Sequence, residues 1–288
     1  MSKSFRQLPY TLATITEMQI TIDHENIFET YPYLEVGSRT IGHNNSPEIL
    51  HKILPIYIAE YDNVNTDIDL LIIASDLQGI AEENGQKHLL GEKLPSFLKA
   101  LIEIELPKYK KVGVLLCGDL FTSLEKRGSS GDVRKVWNEF NNHFDWVVGV
   151  AGNHDTFGNE NEKEQFKSQA NIHLLHKEKI ELNGIRIGGI SGIIGRSDKT
   201  NRVEESDFLD GLTKLSKKDL DFILIHETPD FPKNNENGNS KIRKHIEKLN
   251  PTRIFCGHCH WNNSLANFDN KIQVLNVDSK VILMKIKK

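Results

Sequence analysis

Five apolar runs of strand length each stop on a residue able to hold a metal ion or move a proton. Leu70 to Ser75 precedes Asp76, Val112 to Gly118 precedes Asp119, and Trp146 to Ala151 precedes Gly152-Asn153-His154-Asp155. Phe222 to Ile225 precedes His226, and Ile254 to Gly257 precedes His258. A nearly continuous apolar run is the pattern of a strand buried on both faces, as in a sheet covered by further layers. Polar chemistry at the C-terminal tips of such strands marks the end where α/β sheets place their sites. The chain is thus constrained twice, to an α/β sheet and to chemistry gathered at one end of it.

The segments between the runs supply the connections. From Gly91 to Leu106, residues Leu94, Phe97, Leu98, Leu101, Ile102 and Ile104 fall mostly on one helical face, with Pro95 tolerated in the first turn. A second helix is expected around Val133 to Phe140, giving a βαβαβ half with right-handed crossovers. Ile180 to Leu182, Asn183-Gly184 and Ile185 to Ile190 then predict a β-hairpin and a change to antiparallel pairing. The glycines between Gly188 and Gly195 lack the GxGxxG order of a dinucleotide site, and close backbone packing explains them. Arg196, Lys199 and Arg202 either meet a phosphate or are simply solvated. The polar stretch Lys233 to Lys241 predicts a mobile loop, Ser240 to Leu249 a short helix, and Ser264 to Phe268, Ile272 to Val277 and Lys280 to Ile286 short strands closing an antiparallel edge.

The first 66 residues do not share the strand-and-ligand pattern. Thr11 to Ile15 and Gln19 to Ile22 alternate loosely, as edge strands or hairpins do, and Glu48 to Leu54 is expected to form one or two helical turns between Pro47 and Pro55. His24, His43 and His51 have no ligand-like spacing and receive no role. The expected division is an N-terminal extension of unassigned role, 1–66, and a catalytic domain, 67–288.

Composition narrows the classes. With 288 residues and 38% apolar content the chain can bury a large core, and a formal charge of -4 gives no broad electrostatic footprint for nucleic acid or an anionic membrane. Affinity for phosphate must come from a local site. The N-terminus has no apolar signal segment and no run approaches the roughly 20 residues that span a bilayer, so a cytoplasmic location is expected. Three cysteines, Cys117, Cys256 and Cys259, are too few for a disulfide framework. A zinc module on Cys256-Gly-His-Cys259 would need a second ligand pair, and small buried side chains are the simpler reading.

Taken in order, Asp76 and Gln78, Asp119, Asn153 and His154, His226, then His258 and His260 resemble the calcineurin-like metallophosphoesterase family. Gly118-Asp119, Gly152-Asn153-His154-Asp155 and Gly257-His258-Cys259-His260 match its pattern as they stand, and the resemblance covers roughly 67–288. The departure is Gln78, where the pattern most often has histidine. The resemblance implies a two-sheet α/β sandwich flanked by helices in four layers, with the ligands at one end. It also implies one ion held by Asp76, Gln78, Asp119 and His260, and another held by Asp119, Asn153, His226 and His258. Two ions about 3.5 to 4 Å apart can activate a bridging water and stabilise an in-line displacement, with His154 assisting the leaving group and Asp155 orienting it. Imidazole with carboxylate and amide oxygens suits manganese, iron or zinc. Gln78 is a weaker partner than imidazole for zinc or iron, so manganese is expected first, with magnesium, iron or zinc as alternatives, or a loosely held first ion. Gln78 could instead bond a metal-bound water.

Each residue alone has an ordinary reading as a turn former, a helix cap or a satisfied polar group. The joint order, with His258 and His260 alternating at one strand end, does not. The function implied is hydrolysis of a small phosphomonoester or phosphodiester. A non-catalytic metal-binding scaffold and a nuclease-type phosphodiesterase are the alternatives.

Overall fold

The computed structural model describes residues 19–41, 46–62 and 66–287. The alternation at Thr11 to Ile15 and His43 lie outside the described residues. Strands β1 (Ile20–Ile22), β2 (Glu29–Ile41), β3 (Ser46–Asp62), β4 (Leu70–Ser75), β5 (Ile80–Glu83) and β6 (Gln86–Leu89) lead into helix α1 (Leu90–Glu105). They are followed by β7 (Val112–Leu116), α2 (Arg134–His143), β8 (Trp146–Gly149), α3 (Glu160–Lys167), β9 (Ile172–Leu174), β10 (Glu178–Leu182) and β11 (Ile185–Ile190). The last third holds α4 (Glu205–Ser216), β12 (Phe222–Ile225), α5 (Ser240–Ile246), β13 (Arg253–Cys256), β14 (Leu265–Asn267), β15 (Gln273–Asn276) and β16 (Lys280–Lys287).

Two large sheets result. The first runs β9-β8-β7-β4-β16-β3-β2-β5-β6 with β1 added on β3, and the second runs β10-β11-β12-β13-β15-β14. The period-2 pleat decides how they stack. In β4, Leu70, Ile72 and Ala74 enter one core with Leu94, Leu98, Val136, Trp137 and Phe166 from α1, α2 and α3. Leu71 and Ile73 enter another with Phe222, Leu224, Phe255 and Leu275 of the second sheet. The opposite face of that sheet, through Ile223, Ile225 and Ile254, packs on Phe208, Leu212, Ile242 and Ile246 of α4 and α5. The layers are therefore helices, sheet, sheet, helices, the four-layer α/β sandwich expected.

Three expectations are corrected. Glu48 to Leu54 is strand, not helix: it lies within β3, which pairs antiparallel with β2 and parallel with β16. Ile49 and Ile53 are exposed while Leu54, Ile56 and Ala59 are buried, so β-branched residues and ladder pairing override the helical signal. Strand β16 closes no edge. It sits inside the first sheet, antiparallel to β4 and parallel to β3, because Val281 to Met284 can be covered on both faces. The hairpin β10–β11 is antiparallel as expected, but β11–β12, β12–β13 and β13–β15 are all parallel. Helices α3 and α4 are additions. Within α4, Phe208, Leu212 and Leu215 supply the buried face.

The segment expected to be a mobile loop is fastened down. The buried Glu236 carboxylate accepts Asn262 N–H and Asn263 N–H at 3.0 and 2.9 Å, and Trp261 Nε1 donates to the Asn237 carbonyl at 2.7 Å. Glu236 thus satisfies backbone groups of the loop that follows His258 and His260, while Lys233, Asn234, Asn235 and Asn237 stay exposed.

Candidate metal centre

Strands β4, β7, β8, β12 and β13 bring their tips together. Asp76, Asp119 and His258 all take left-handed backbone, with φ of 53°, 53° and 73°. Such φ is uncommon outside glycine and clusters where a chain must turn sharply to present a side chain. The tips interlock through the backbone. Asp76 N–H donates to the Gly118 carbonyl at 2.9 Å, and His258 N–H donates to Asp76 Oδ2 at 2.9 Å. His154 N–H donates to Asp119 Oδ1 at 2.8 Å. Gly152 admits that approach: a Cβ there would lie 2.0 Å from Asp119 Oδ1.

Asp119, His226 and His258 each offer a ligand atom, and these atoms all lie within 4.8 Å of one another. Asp119 is 2% exposed and His226 fully buried. His226 Nδ1–H donates to the Cys117 carbonyl at 2.8 Å, which directs Nε2 away from the backbone. Nε2 then sits 3.2 Å from Asp119 Oδ2 but without hydrogen-bond geometry. Asn153, 6% exposed, also leaves its Oδ1 without a partner. A buried polar atom left unpaired costs about 1–3 kcal/mol, so two of them beside a carboxylate and an imidazole describe a cradle for a cation. The residues present fit a divalent ion.

The electrostatics of the metal-free cradle agree. Burial alone would lower His226, but the carboxylates of Asp119 and Asp76 and the Cys117 carbonyl outweigh it and raise its pKa to about 10. Burial would raise the Asp119 carboxyl, yet His226 beside it brings it below the usual value. His258 is brought down to about 4 by burial and the neighbouring His226, with Arg202 adding to the effect. Both shifts favour a positive imidazolium beside a negative carboxylate, the charge balance that a bound cation would supply instead.

Of the other predicted ligands, Asp76 is tied into the same tips, whereas Gln78 and His260 stand apart. Burial, Asp278 and Asp119 push the Asp76 carboxyl well above its usual value, and its Oδ2 accepts from Ser75 Oγ at 2.7 Å. His260 has a side chain 60% exposed and lies 3.3 Å through Nδ1 from Asp278 Oδ1. Gln78 lies in the wall of a cavity of 440 Å³ that also holds His154 and Arg127. Among the described residues, His260 does not belong to the Asp119–His226–His258 group.

Two further residues show roles that sequence did not predict. Asp155 does not orient the His154 ring. Its buried carboxylate instead accepts from Gly152, Asp119 and Leu120 N–H at 2.9, 2.8 and 2.7 Å, tying two tips together. Burial and Asp119 raise its pKa to about 6. The neighbour of His154 Nδ1 is Ser130 Oγ at 3.3 Å. Asp278 is buried, bridges to Ser75 and faces His260. The available signal for it was a carboxylate directly after the apolar run Ile272 to Val277, the same pattern that marked Asp76. Of the three basic residues at 196–202, Arg196 pairs with Asp198, while Arg202 influences His258. Cys117 and Cys256 are buried, and none of the three cysteines joins a metal-type cluster among the described residues.

A layered α/β sandwich with carboxylate, amide and imidazole groups converging at its strand tips defines a metal-dependent class of protein. The particular family follows from a direct comparison: the family model for calcineurin-like phosphoesterases matches residues 70–262, and the chain belongs to that family. Family members hydrolyse phosphoesters with divalent metals. Solved structures with a similar fold include the NAD nucleotidase of Haemophilus influenzae, 16% identical over 74% of this chain and 51% of that one, with a TM-score of 0.44. The 5'-nucleotidase of Candida albicans SC5314 is 16% identical over 75% of this chain and 46% of its own, with a TM-score of 0.42. A purple acid phosphatase from yellow lupin (Lupinus luteus) seeds is 12% identical over 82% of this chain and 48% of its own, with a TM-score of 0.38. The chain spans about half the length of the first two. No curated protein matches it significantly. No helix among the described residues is long and apolar enough to cross a membrane.

Proposed function

We propose that the chain hydrolyses a small phosphoester at a centre of two divalent ions. Asp119, Asn153, His226 and His258 would hold one ion, and Asp76, Gln78, Asp119 and His260 the other. When bound, the ions supply Lewis-acid activation of water and neutralise phosphoryl charge. The observation that carries the reading is the Asp119–His226–His258 group, with Asp119 and His226 buried, His258 partly so, and the buried Asn153 Oδ1 and His226 Nε2 without hydrogen-bond partners.

The chain's own residues do the rest. Cys117 and Asp155 fix the His226 ring and the Asp119 tip, so this side of the centre is held in place before an ion binds. His154, with Nδ1 against Ser130 Oγ, keeps Nε2 for the substrate and gives the departing ester oxygen its proton. In the balanced step, water oxygen bonds to phosphorus and the phosphorus–ester oxygen bond breaks; the alcohol leaves with the His154 proton, one water proton stays on the phosphate product, and the other returns to His154. The 440 Å³ cavity around His154 suits a small leaving group rather than a polymer or a folded protein.

The test is to strip the full chain with chelator and add back manganese, magnesium, iron or zinc against p-nitrophenyl and bis-p-nitrophenyl phosphate. Turnover restored by metal, best by manganese, is expected, and the preferred ester assigns monoesterase or diesterase. A protein that binds metal yet turns over neither ester would replace the hydrolase with a metal-binding scaffold.

A further inference from the structure

Residues 29–62 precede the matched family segment, yet β2 lies directly against the loop that carries Gln78. Leu34 pairs with Ile80. The Tyr33 ring packs so closely on Gly79 that a Cβ there would lie 2.2 Å from Tyr33 Cδ2. The β2–β3 register then shifts between Val36 and Thr40. Such an irregularity re-aims side chains, and proteins use it beside active sites. At this point Glu35 and Val36 enter the wall of the cavity that holds Gln78, Arg127 and His154.

The wall has a particular chemistry. It offers the Glu35 carboxylate, the Gln78 amide, the Thr122 hydroxyl and the Arg127 guanidinium, with Val36 as its apolar side chain and, among the described residues, no phenylalanine, tyrosine or tryptophan in its lining; its one ring is the His154 imidazole, which the reaction uses. A nucleobase or aryl group gains most from stacking. A polyhydroxylated group gains from donors and acceptors that pair each hydroxyl. Glu35 meets the Tyr33 hydroxyl at 3.5 Å, the limit of a hydrogen bond, so its oxygens keep capacity for further donors. Arg127 forms no ion pair among the described residues and can present its planar fork to phosphate oxygens.

Resting on the hydrolase reading, we propose that the N-terminal hairpin completes a leaving-group pocket for a small polyol or sugar phosphomonoester, with Glu35 accepting its hydroxyls and Arg127 meeting its phosphate. The hairpin is thus the specificity element of the site, supplied from outside the family segment.

The experiment measures kcat and KM for glucose 6-phosphate, glycerol phosphate, adenosine monophosphate and p-nitrophenyl phosphate, using the metal-loaded full chain with Glu35→Ala and Glu35→Gln. Loss of one hydrogen bond to a charged group is worth about tenfold or more in binding. The expected result is a KM that rises about tenfold more for the two polyol phosphates than for the aryl ester, with kcat little changed and Glu35→Gln intermediate. Equal shifts on all four substrates, or a wild-type kcat/KM that favours the nucleotide over the polyol phosphates, would overturn it. If no ester turns over, the hydrolase reading falls by itself, and calorimetry with glucose 6-phosphate decides the pocket. Binding weakened by Glu35→Ala supports the pocket, and binding that is absent or insensitive to Glu35 refutes it.

Discussion

The two halves of the centre are built differently. Around Asp119, the side chains of Asp119, Asn153 and His226 are buried and His258 is partly so, the Asp119 carboxylate is tied to the His154 backbone, and His226 has its ring fixed by a carbonyl. Around Asp76 the same sheet end offers a glutamine in a cavity wall and an exposed His260 that leans on Asp278. In the proposed centre, one side would have had its ordering cost met by folding, and the other would still have to gather Gln78 and His260 when an ion arrives. The difference teaches that a shared bridging carboxylate does not make two sites equally tight.

The largest effect that would break this comparison is at the bridge. Asp119→Asn removes the charge both ions would share, and turnover is expected to fall about 10³-fold or more, with metal content after dialysis dropping at both positions. Loss at one position alone would mean that Asp119 is not shared. His154→Ala should lower kcat by about 10²–10⁴-fold while leaving metal content intact. The drop should be greater with an alkyl ester than with p-nitrophenyl phosphate, whose leaving group needs less protonation. An equal drop on both esters would remove His154 as the proton donor.

The pH response sharpens the contrast. His226 is raised to about 10 in the metal-free fold, above its ordinary value near 6.5, so the protonated pair with Asp119 stabilises that fold below pH 6.5. This contribution is lost as pH rises from 6.5 toward 10. An ion at His226 Nε2 must displace that proton, so its affinity should rise across the same window, with release of about one proton per ion. His258, already neutral above about pH 4, contributes no proton there. Calorimetry in buffers of different ionisation heat would count the protons, and none released would contradict the assignment. A smaller change is expected from Gln78→His, which replaces an amide with imidazole on the looser side. Affinity for the weaker ion should rise by about tenfold for zinc, with little change at the tighter one.

Much of this arrangement was legible in the chain. All five tip strands and helices α1 and α2 follow from apolar runs and one-sided helical spacing, because burial on two faces or one is written directly into residue choice. The order of polar residues at the tips pointed to the centre. What failed was pairing. Glu48 to Leu54 has the composition of a helix or a strand, and its partners β2 and β16 are set by contacts distant in sequence. Strand β16 had the continuous apolar run of an interior strand, but its position near the end of the sequence suggested an edge. Helix α3 buries little beyond Phe166, and its signal was the Asn159–Glu162 capping box rather than an apolar stripe. Asp155 was misplaced for another reason: sequence neighbours of a catalytic histidine invite a direct role, whereas the short loop turns this carboxylate back onto three backbone N–H groups.

The most direct test of the unequal centre is calorimetric titration of manganese into the metal-stripped full chain, alongside His258→Ala and His260→Ala. Two ions should bind in two phases. His258→Ala should abolish the tighter phase, while His260→Ala should weaken or abolish the other and leave the tighter one in place. A wild-type protein that binds two ions with equal affinity, or a tighter phase that disappears with His260 and survives without His258, would contradict the account.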